Sequence, residues 1–177
     1  RQDHRLVSRE RLVVAPHPRA QIYRGATRHV GLVRVLVTGR EGQVVRALLE
    51  RGADVAGLEL IAVGRPELDL GRPGSAAEAV RRAAPDMVIS AAAYTNVDQA
   101  EDEPELANRV NGDAPGELAA AARELGARIV HLSPDYVFDG TSPEPYREDA
   151  PTNPVGAYGK SKLQGEERVG EESSDAL

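Results

Sequence analysis

The sequence contains no cysteine, which excludes disulfides, thiolate metal sites and cysteine nucleophiles. No apolar run approaches the roughly 18 residues that a membrane span requires, so no membrane partner is expected. Positive charge is in short supply: 22 basic against 28 acidic side chains leave a net charge of −6. A general nucleic-acid binder would carry the opposite footprint, so no nucleic-acid partner is expected. Lysine is the scarcest cation, with Lys160 and Lys162 beside twenty arginines. The four histidines, His4, His17, His29 and His131, lack metal-ligand spacing, and no metal site is expected. What remains is a chain of 177 residues, by length one ordinary domain.

Charge is unevenly placed along it. Residues 1–30 hold seven arginines against Asp3 and Glu10, a local charge of +5 that leaves −11 on the remainder. A short basic leader can be a targeting peptide, but this one has neither a long apolar segment nor a cleavage signature. We expect residues 1–30 to be a disordered leader and residues 31–177 to be the folded domain. The chain opens on Arg1 and stops at Leu177, so that domain reads as incomplete and the chain as a fragment. A cytoplasmic location is expected.

From residue 31 the pattern becomes periodic. Val33 to Val37 is a short β-branched run of the kind a buried parallel strand uses, and it ends in Thr38-Gly39. Val44, Ala47, Leu48 and Leu49 then recur at helical spacing up to Gly52. Further strands are predicted at Leu58–Val63, Asp86–Ser90 and Arg128–Ser133. Helices are predicted over Gly74–Ala84, over Asp102–Leu125 with interruptions near Gly112 and Pro115, and over Ala157–Val169. Strands alternating with helices of this length argue for βαβ units, hence an α/β fold with a doubly wound, mostly parallel, Rossmann-like sheet.

The turn Gly39-Arg40-Glu41-Gly42-Gln43 follows the first strand and opens the first helix. Glycines there let the turn tighten and let backbone N–H groups approach a pyrophosphate, with the helix N-terminus facing its negative charge. Val45 stands where a third small residue would allow close helix–strand packing, and overpacking of that kind costs about 1–3 kcal/mol. Arg65 lies just beyond the second strand, where a Rossmann-type site reads the adenosine ribose. An acidic residue there bonds the ribose hydroxyl, whereas an arginine accommodates a 2′-phosphate, which favours NADPH while leaving NADH open.

Tyr158 and Lys162 stand at i and i+4, on one face of the last predicted helix. A tyrosine hydroxyl can donate a proton to a carbonyl oxygen as hydride arrives at carbon. A nearby ammonium stabilises the resulting phenolate and lowers its pKa. An arginine would not replace that point charge conservatively, so lysine at this spot in an arginine-rich chain hints at a chemical demand. The acidic run Asp98 to Glu105 is expected to be a solvated helix start.

The ordered set Thr38-Gly39-x-x-Gly42-Gln43, Glu67-Leu68-Asp69-Leu70, Ala91-Ala92-Ala93-Tyr94-Thr95-Asn96-Val97-Asp98, Ser133-Pro134-Asp135-Tyr136-Val137-Phe138-Asp139-Gly140 and Tyr158-Gly159-Lys160-Ser161-Lys162 resembles the dTDP-4-dehydrorhamnose reductase family. That family belongs to the extended short-chain dehydrogenases/reductases, and the similarity spans about residues 33 to 169. The resemblance implies NADPH-dependent reduction of dTDP-4-dehydro-L-rhamnose to dTDP-L-rhamnose, so the partner is a nucleotide-sugar substrate. It further implies that Tyr158 is the proton donor and that Lys162 holds the nicotinamide ribose and tunes the tyrosine. Glu41, Gly42 and Gln43 would line the pyrophosphate, Asp69 and Leu70 the adenine, and Ala93, Tyr94 and Thr95 the cofactor, with Asp135 on the substrate sugar.

Three departures stand beside these matches. The family motif reads Ser-Thr-Asp-Tyr-Val-Phe, its threonine hydroxyl bonding the substrate carbonyl, and here Pro134 takes the threonine position. Ser133 is adjacent, but alternate side chains of a strand face opposite ways. Val45 is the second departure. The third is length, because the family continues beyond the Tyr–Lys helix with a C-terminal substrate-binding region. Strands lost there would leave an open sheet edge that seeks a partner, a homodimer among them. The alternative to an enzyme is therefore a non-catalytic NADP-binding module, or an inactive fragment of the family.

Overall fold

The computed structural model describes residues 31–173 and Ala176. The leader expected at residues 1–30 lies outside the described residues. Four strands, β1 (Val33–Thr38), β2 (Leu58–Val63), β3 (Met87–Ser90) and β4 (Arg128–His131), form one parallel sheet in the order β2-β1-β3-β4. Val35 of β1 faces Leu60 of β2 on one side and Met87 of β3 on the other, and Met87 in turn faces Arg128 of β4. The expected α/β, doubly wound, Rossmann-like architecture is present.

β1 is a near-continuous apolar run because both of its faces are covered. Its side chains alternate between two cores. Leu36 joins Val88 and Ile129 in the larger core, under the alanine-rich faces of α2 (Ser75–Ala83) and α5 (Ala114–Leu125). Val35 and Val37 turn the other way, against Val45 and Leu48 of α1 (Gln43–Gly52). Leu36 and Leu118 are fully buried, each contributing about 1.5–3 kcal/mol relative to exposure. Val45, the residue in place of a small one, is thus a core residue at 2% exposure.

The stretch read as one interrupted helix, Asp102–Leu125, is three segments in series, preceded by a short helix that ends at Asp102. α3 (Val97–Asp102) and α4 (Pro104–Asn108) lead into one π-helical stretch, Arg109–Asp113, which runs on into α5. Pro115 falls in the first turn of α5, directly after the π-helical stretch, so the interruptions marked near Gly112 and Pro115 coincide with that stretch and its exit and not with a break in the helical course. The last helix, α6 (Ala157–Glu172), runs one turn closer to the end of the chain than the pattern suggested, and Arg123 pairs with Glu172 at 2.9 Å. Among the described residues no helix is long and apolar enough to cross a membrane.

Candidate active site

All four strands point their carboxyl ends the same way, and the chain reverses its order of travel between β1 and β3. Ligands of open α/β sheets bind in the crevice at such a switch point. Thr38, fully buried at the end of β1, accepts through Oγ1 from the Ala91 N–H (3.0 Å) and the Ala92 N–H (2.9 Å), which locks the exit of β3 onto that of β1. Gly39 follows with φ of +101°, a conformation that L side chains rarely adopt. A Cβ placed there would lie 3.4 Å from Val45 Cγ2 and 3.6 Å from Ala92 Cβ, so turn, helix and loop converge on it. Gly42 caps α1 in extended backbone with no side-chain hydrogen bond across the helix end. Glu41, Gly42 and Gln43 are exposed along this turn.

Two guanidinium groups stand at the carboxyl end of β2. Arg65 is exposed just past the strand. The side chain of Arg40, inside the glycine turn, lies over Gly64, and its Nη2 donates to Glu67 Oε2 at 2.5 Å. Sequence reasoning singled out Arg65 and passed over Arg40; its signal was an arginine between two glycines of the turn. Asp69 folds onto its own loop, its N–H donating to Ser75 Oγ (2.9 Å) and its Oδ1 accepting from the Gly71 N–H (3.0 Å). Leu70 is buried in the larger core, so its side chain serves packing.

The loop after β3 is tied to α6 by Asn111, a residue that sequence reasoning missed. Asn111 lies in the π-helical stretch at 1% exposure. Its Oδ1 accepts from the Tyr94 N–H (2.8 Å), and its Nδ2 donates to Tyr94 O (3.0 Å) and Ser161 Oγ (3.0 Å). Ser161 Oγ in turn donates to Tyr158 O at 2.7 Å. Ala93 is half-buried and Thr95 exposed in the same loop. The Tyr94 hydroxyl donates to Glu103 Oε2 (2.6 Å), and that bond pushes its pKa up to about 12. Glu101 Oε1 accepts from the Ala157 N–H at 2.7 Å, at the first turn of α6. Two members of the acidic run expected to be solvated are therefore structural anchors, a correction that follows from where α6 docks.

α6 is seated closely. A Cβ at Gly159 would collide with the Tyr136 carbonyl oxygen, and one at Gly165 with the Asn111 carbonyl oxygen. Tyr158 and Lys162, one turn apart on this helix, are 9% and 2% exposed. Lys162 Nζ donates to Leu132 O at 2.6 Å and lies 3.2 Å from His131 Nε2. Burial lowers the Lys162 pKa to about 8, with Glu166 opposing. Tyr158 goes the other way from expectation. Burial first, then Tyr136 and Asp135, raise its pKa, whereas the sequence reading had the lysine lowering it. Lys162 directs its ammonium at Leu132 and His131, and a half-closed apolar setting disfavours the phenolate.

The chain beyond β4 also differs from expectation. The strand ends at His131, not Ser133, with the Leu132 N–H to Ser90 O (3.2 Å) as the closing rung. Ser133 and Pro134 are therefore loop residues, and the alternation of a strand does not govern where they face. Ser133 is exposed; Pro134 is half-buried in extended backbone. Asp135 opens the 3-10 turn Asp135–Val137 and is exposed. The next residue, Tyr136, sets its ring against Tyr158.

At the carboxyl ends of the strands, Gly39 follows β1, Ala93–Thr95 follow β3 and Asp135 follows β4, with Lys162 hydrogen-bonded to the Leu132 carbonyl, Tyr158 against the Tyr136 ring, and Arg65 and Asp69 beyond β2. The left-handed glycine, the uncapped ten-residue helix and the buried lysine suit a dinucleotide. Pro134 does not supply the hydroxyl donor that a carbonyl reduction would use.

Residues 33–177 match the family model described as the RmlD substrate binding domain. A dTDP-4-dehydrorhamnose reductase of Burkholderia thailandensis is 50% identical over 145 residues, covering 82% of this chain and 48% of that protein. One of Salmonella typhimurium is 43% identical over 139 residues, covering 77% and 46%. The solved structure of dTDP-4-dehydrorhamnose reductase from Bacillus anthracis in complex with NADP superimposes with a TM-score of 0.76 at 34% identity, over 82% of this chain and 51% of that one. The chain spans about half the length of the curated relatives it matches. With the family model covering four-fifths of its length, the chain belongs to the RmlD substrate-binding-domain family.

Proposed function

We propose that this chain is the dinucleotide-binding half of an NADPH-dependent reductase that converts the 4-keto group of dTDP-4-dehydro-L-rhamnose to the alcohol of dTDP-L-rhamnose. The observation that carries the reading is the buried pair Tyr158 and Lys162 on α6, with Lys162 hydrogen-bonded to the Leu132 carbonyl just past β4, in a chain of a family whose relatives bear that name. NADPH, when bound, supplies the hydride. Gly39, Glu41, Gly42 and Gln43 border the pyrophosphate, and Arg65 reads the 2′-phosphate, with Arg40 beside it. Asp69 and Leu70 belong to the adenine side, and Ala93, Tyr94 and Thr95 to the wall along the cofactor. Lys162 holds the nicotinamide ribose. Asp135 binds the sugar, and Tyr158 gives the proton of its hydroxyl to the carbonyl oxygen. The raised pKa of Tyr158 keeps that proton in place until the oxygen gains charge.

Pro134 supports a second reading, a module that binds NADP without reducing a sugar. The two are separated by isothermal titration of NADPH and NADH into the chain, followed by turnover. The expected result is preferential NADPH binding, weakened about tenfold by Arg65→Ala, the scale of one charged hydrogen bond. No binding of either nucleotide would overturn both readings. Binding without oxidation of NADPH by the keto-sugar, in a protein extended to the length of its relatives, would leave the module.

A further inference from the structure

We propose that His131 is a positioning residue for Lys162: its imidazole, anchored through Ser90, is a neutral acceptor that fixes the direction of the lysine ammonium. The proposal rests on Lys162 being the ribose-holding group of the reading above. His131 closes β4 and was set aside in the sequence for want of metal-ligand spacing. In the fold its two ring nitrogens have separate partners, Ser90 Oγ at 3.1 Å from Nδ1 and Lys162 Nζ at 3.2 Å from Nε2. An ammonium has three donors and no acceptor, so Nε2 opposite it must be the unprotonated nitrogen. The ring proton then sits on Nδ1 and is donated to Ser90 Oγ, a hydroxyl 2% exposed on β3. The second acceptor of Nζ is the Leu132 carbonyl, at 2.6 Å. Among the described residues, two of the three ammonium donors are thus spent on the protein and one is left for a ligand.

The approach is built in. Gly165, one turn beyond Ser161, lets α6 close on the ring, since a Cβ there would stand 3.1 Å from His131 Nε2 and collide with the Asn111 carbonyl oxygen. Charge acts on the pair from a single helix. Lys162 faces His131, and Glu166, the next turn of α6, bears on Lys162. Ser90 on β3 and Asn111 in the π-helical stretch add no charge. Burial, and then the lysine, hold the His131 pKa down at about 4 and that of Lys162 lies at about 8, so between those values a neutral acceptor ring faces a charged ammonium.

The test uses NMR of the chain as it stands. Three of its four histidines fall within residues 1–30 and it has two lysines, so His131 and Lys162 are readily assigned. Imidazole 15N shifts should show Nε2 unprotonated, with His131 titrating near pH 4 and moving up in Lys162→Met. In 13C-lysine spectra Lys162 should titrate near pH 8. His131→Leu should bring that titration about one pH unit lower, the scale of one hydrogen bond to a charged group. His131→Gln, whose amide oxygen reaches where Nε2 stood, should restore it. Cooperative melts establish that each variant folds, and His131→Leu should weaken NADPH binding about tenfold, with His131→Gln recovering it. A protonated Nε2, or a Lys162 titration indifferent to His131→Leu, would overturn the proposal. Wild-type chain that fails to bind NADPH would overturn the cofactor reading instead, and the coupling would then be judged on the titrations.

Discussion

The Tyr136 ring stands edge-on to the Tyr158 ring, with centroids 5.3 Å apart and planes at 80°. Aromatic pairs favour that geometry because the positive edge of one ring meets the negative face of the other. It places the exposed turn that carries Asp135 directly against the proposed proton donor. Burial, Tyr136 and Asp135 together hold the phenol proton on Tyr158. Asp135→Asn is expected to lower the Tyr158 titration toward 10, read by NMR of 13C-labelled tyrosine; a titration that stays put would show that Asp135 does not act on it. The sign for stability follows: a raised folded pKa contributes stability in full below the unfolded value of 10, lost as pH rises through the folded one.

Lys162→Met is expected to stabilise the domain while removing the proposed ribose contact. Lowering the lysine from 10.5 to about 8 corresponds to about 3 kcal/mol against the buried ammonium. Its hydrogen bonds to Leu132 and His131 return part of that, leaving a net gain of about 1 kcal/mol and a Tm rise of about 3 °C. Because the folded pKa is depressed, the wild type recovers stability as pH climbs from about 8 to 10.5. The Tm difference should accordingly be largest below pH 8 and close at high pH. A Tm that falls on substitution would count against a strained ammonium.

Two glycines of α6 should respond oppositely to the same change. Gly159→Ala drives a Cβ into the Tyr136 carbonyl oxygen and to 3.0 Å from Pro154 Cβ, for a loss of about 1–3 kcal/mol. At Gly170 nothing lies within 4 Å, so Gly170→Ala should gain about 0.5–1 kcal/mol from helix propensity. Urea denaturation of both variants checks the contrast, and equal effects would refute the tight seating of α6.

Pro134→Thr tests the missing hydroxyl. The position is extended, with φ of −94° and ψ of 167°, which a threonine adopts without strain. If Tyr158 acts as proposed, turnover of the keto-sugar in a protein extended to the length of its relatives should rise about 10²–10³-fold, the worth of one positioned donor. The assay is NADPH absorbance. Unchanged turnover would mean that another group fills the role.

What the sequence determined by itself was local. β2 spans the same residues, 58–63, in pattern and structure, and β1 differs by one, because mostly apolar runs bounded by glycine specify a sheet strand without outside help. The glycine turn and the shared face of Tyr158 and Lys162 follow from spacing alone. Tertiary packing decided the partners. Asn111 sits beside a glycine that reads as a break, yet the π-helical stretch carries it into the core to join Tyr94 and Ser161, 17 and 50 residues away. Glu101 and Glu103 look like solvated surface until α6 and Tyr94 arrive. His131 is a lone histidine on a strand, given its role by a lysine 31 residues later. Burial also reversed the direction expected for the Tyr158 pKa, because desolvation and hydrogen bonding depend on what the fold brings near, and no local pattern encodes that.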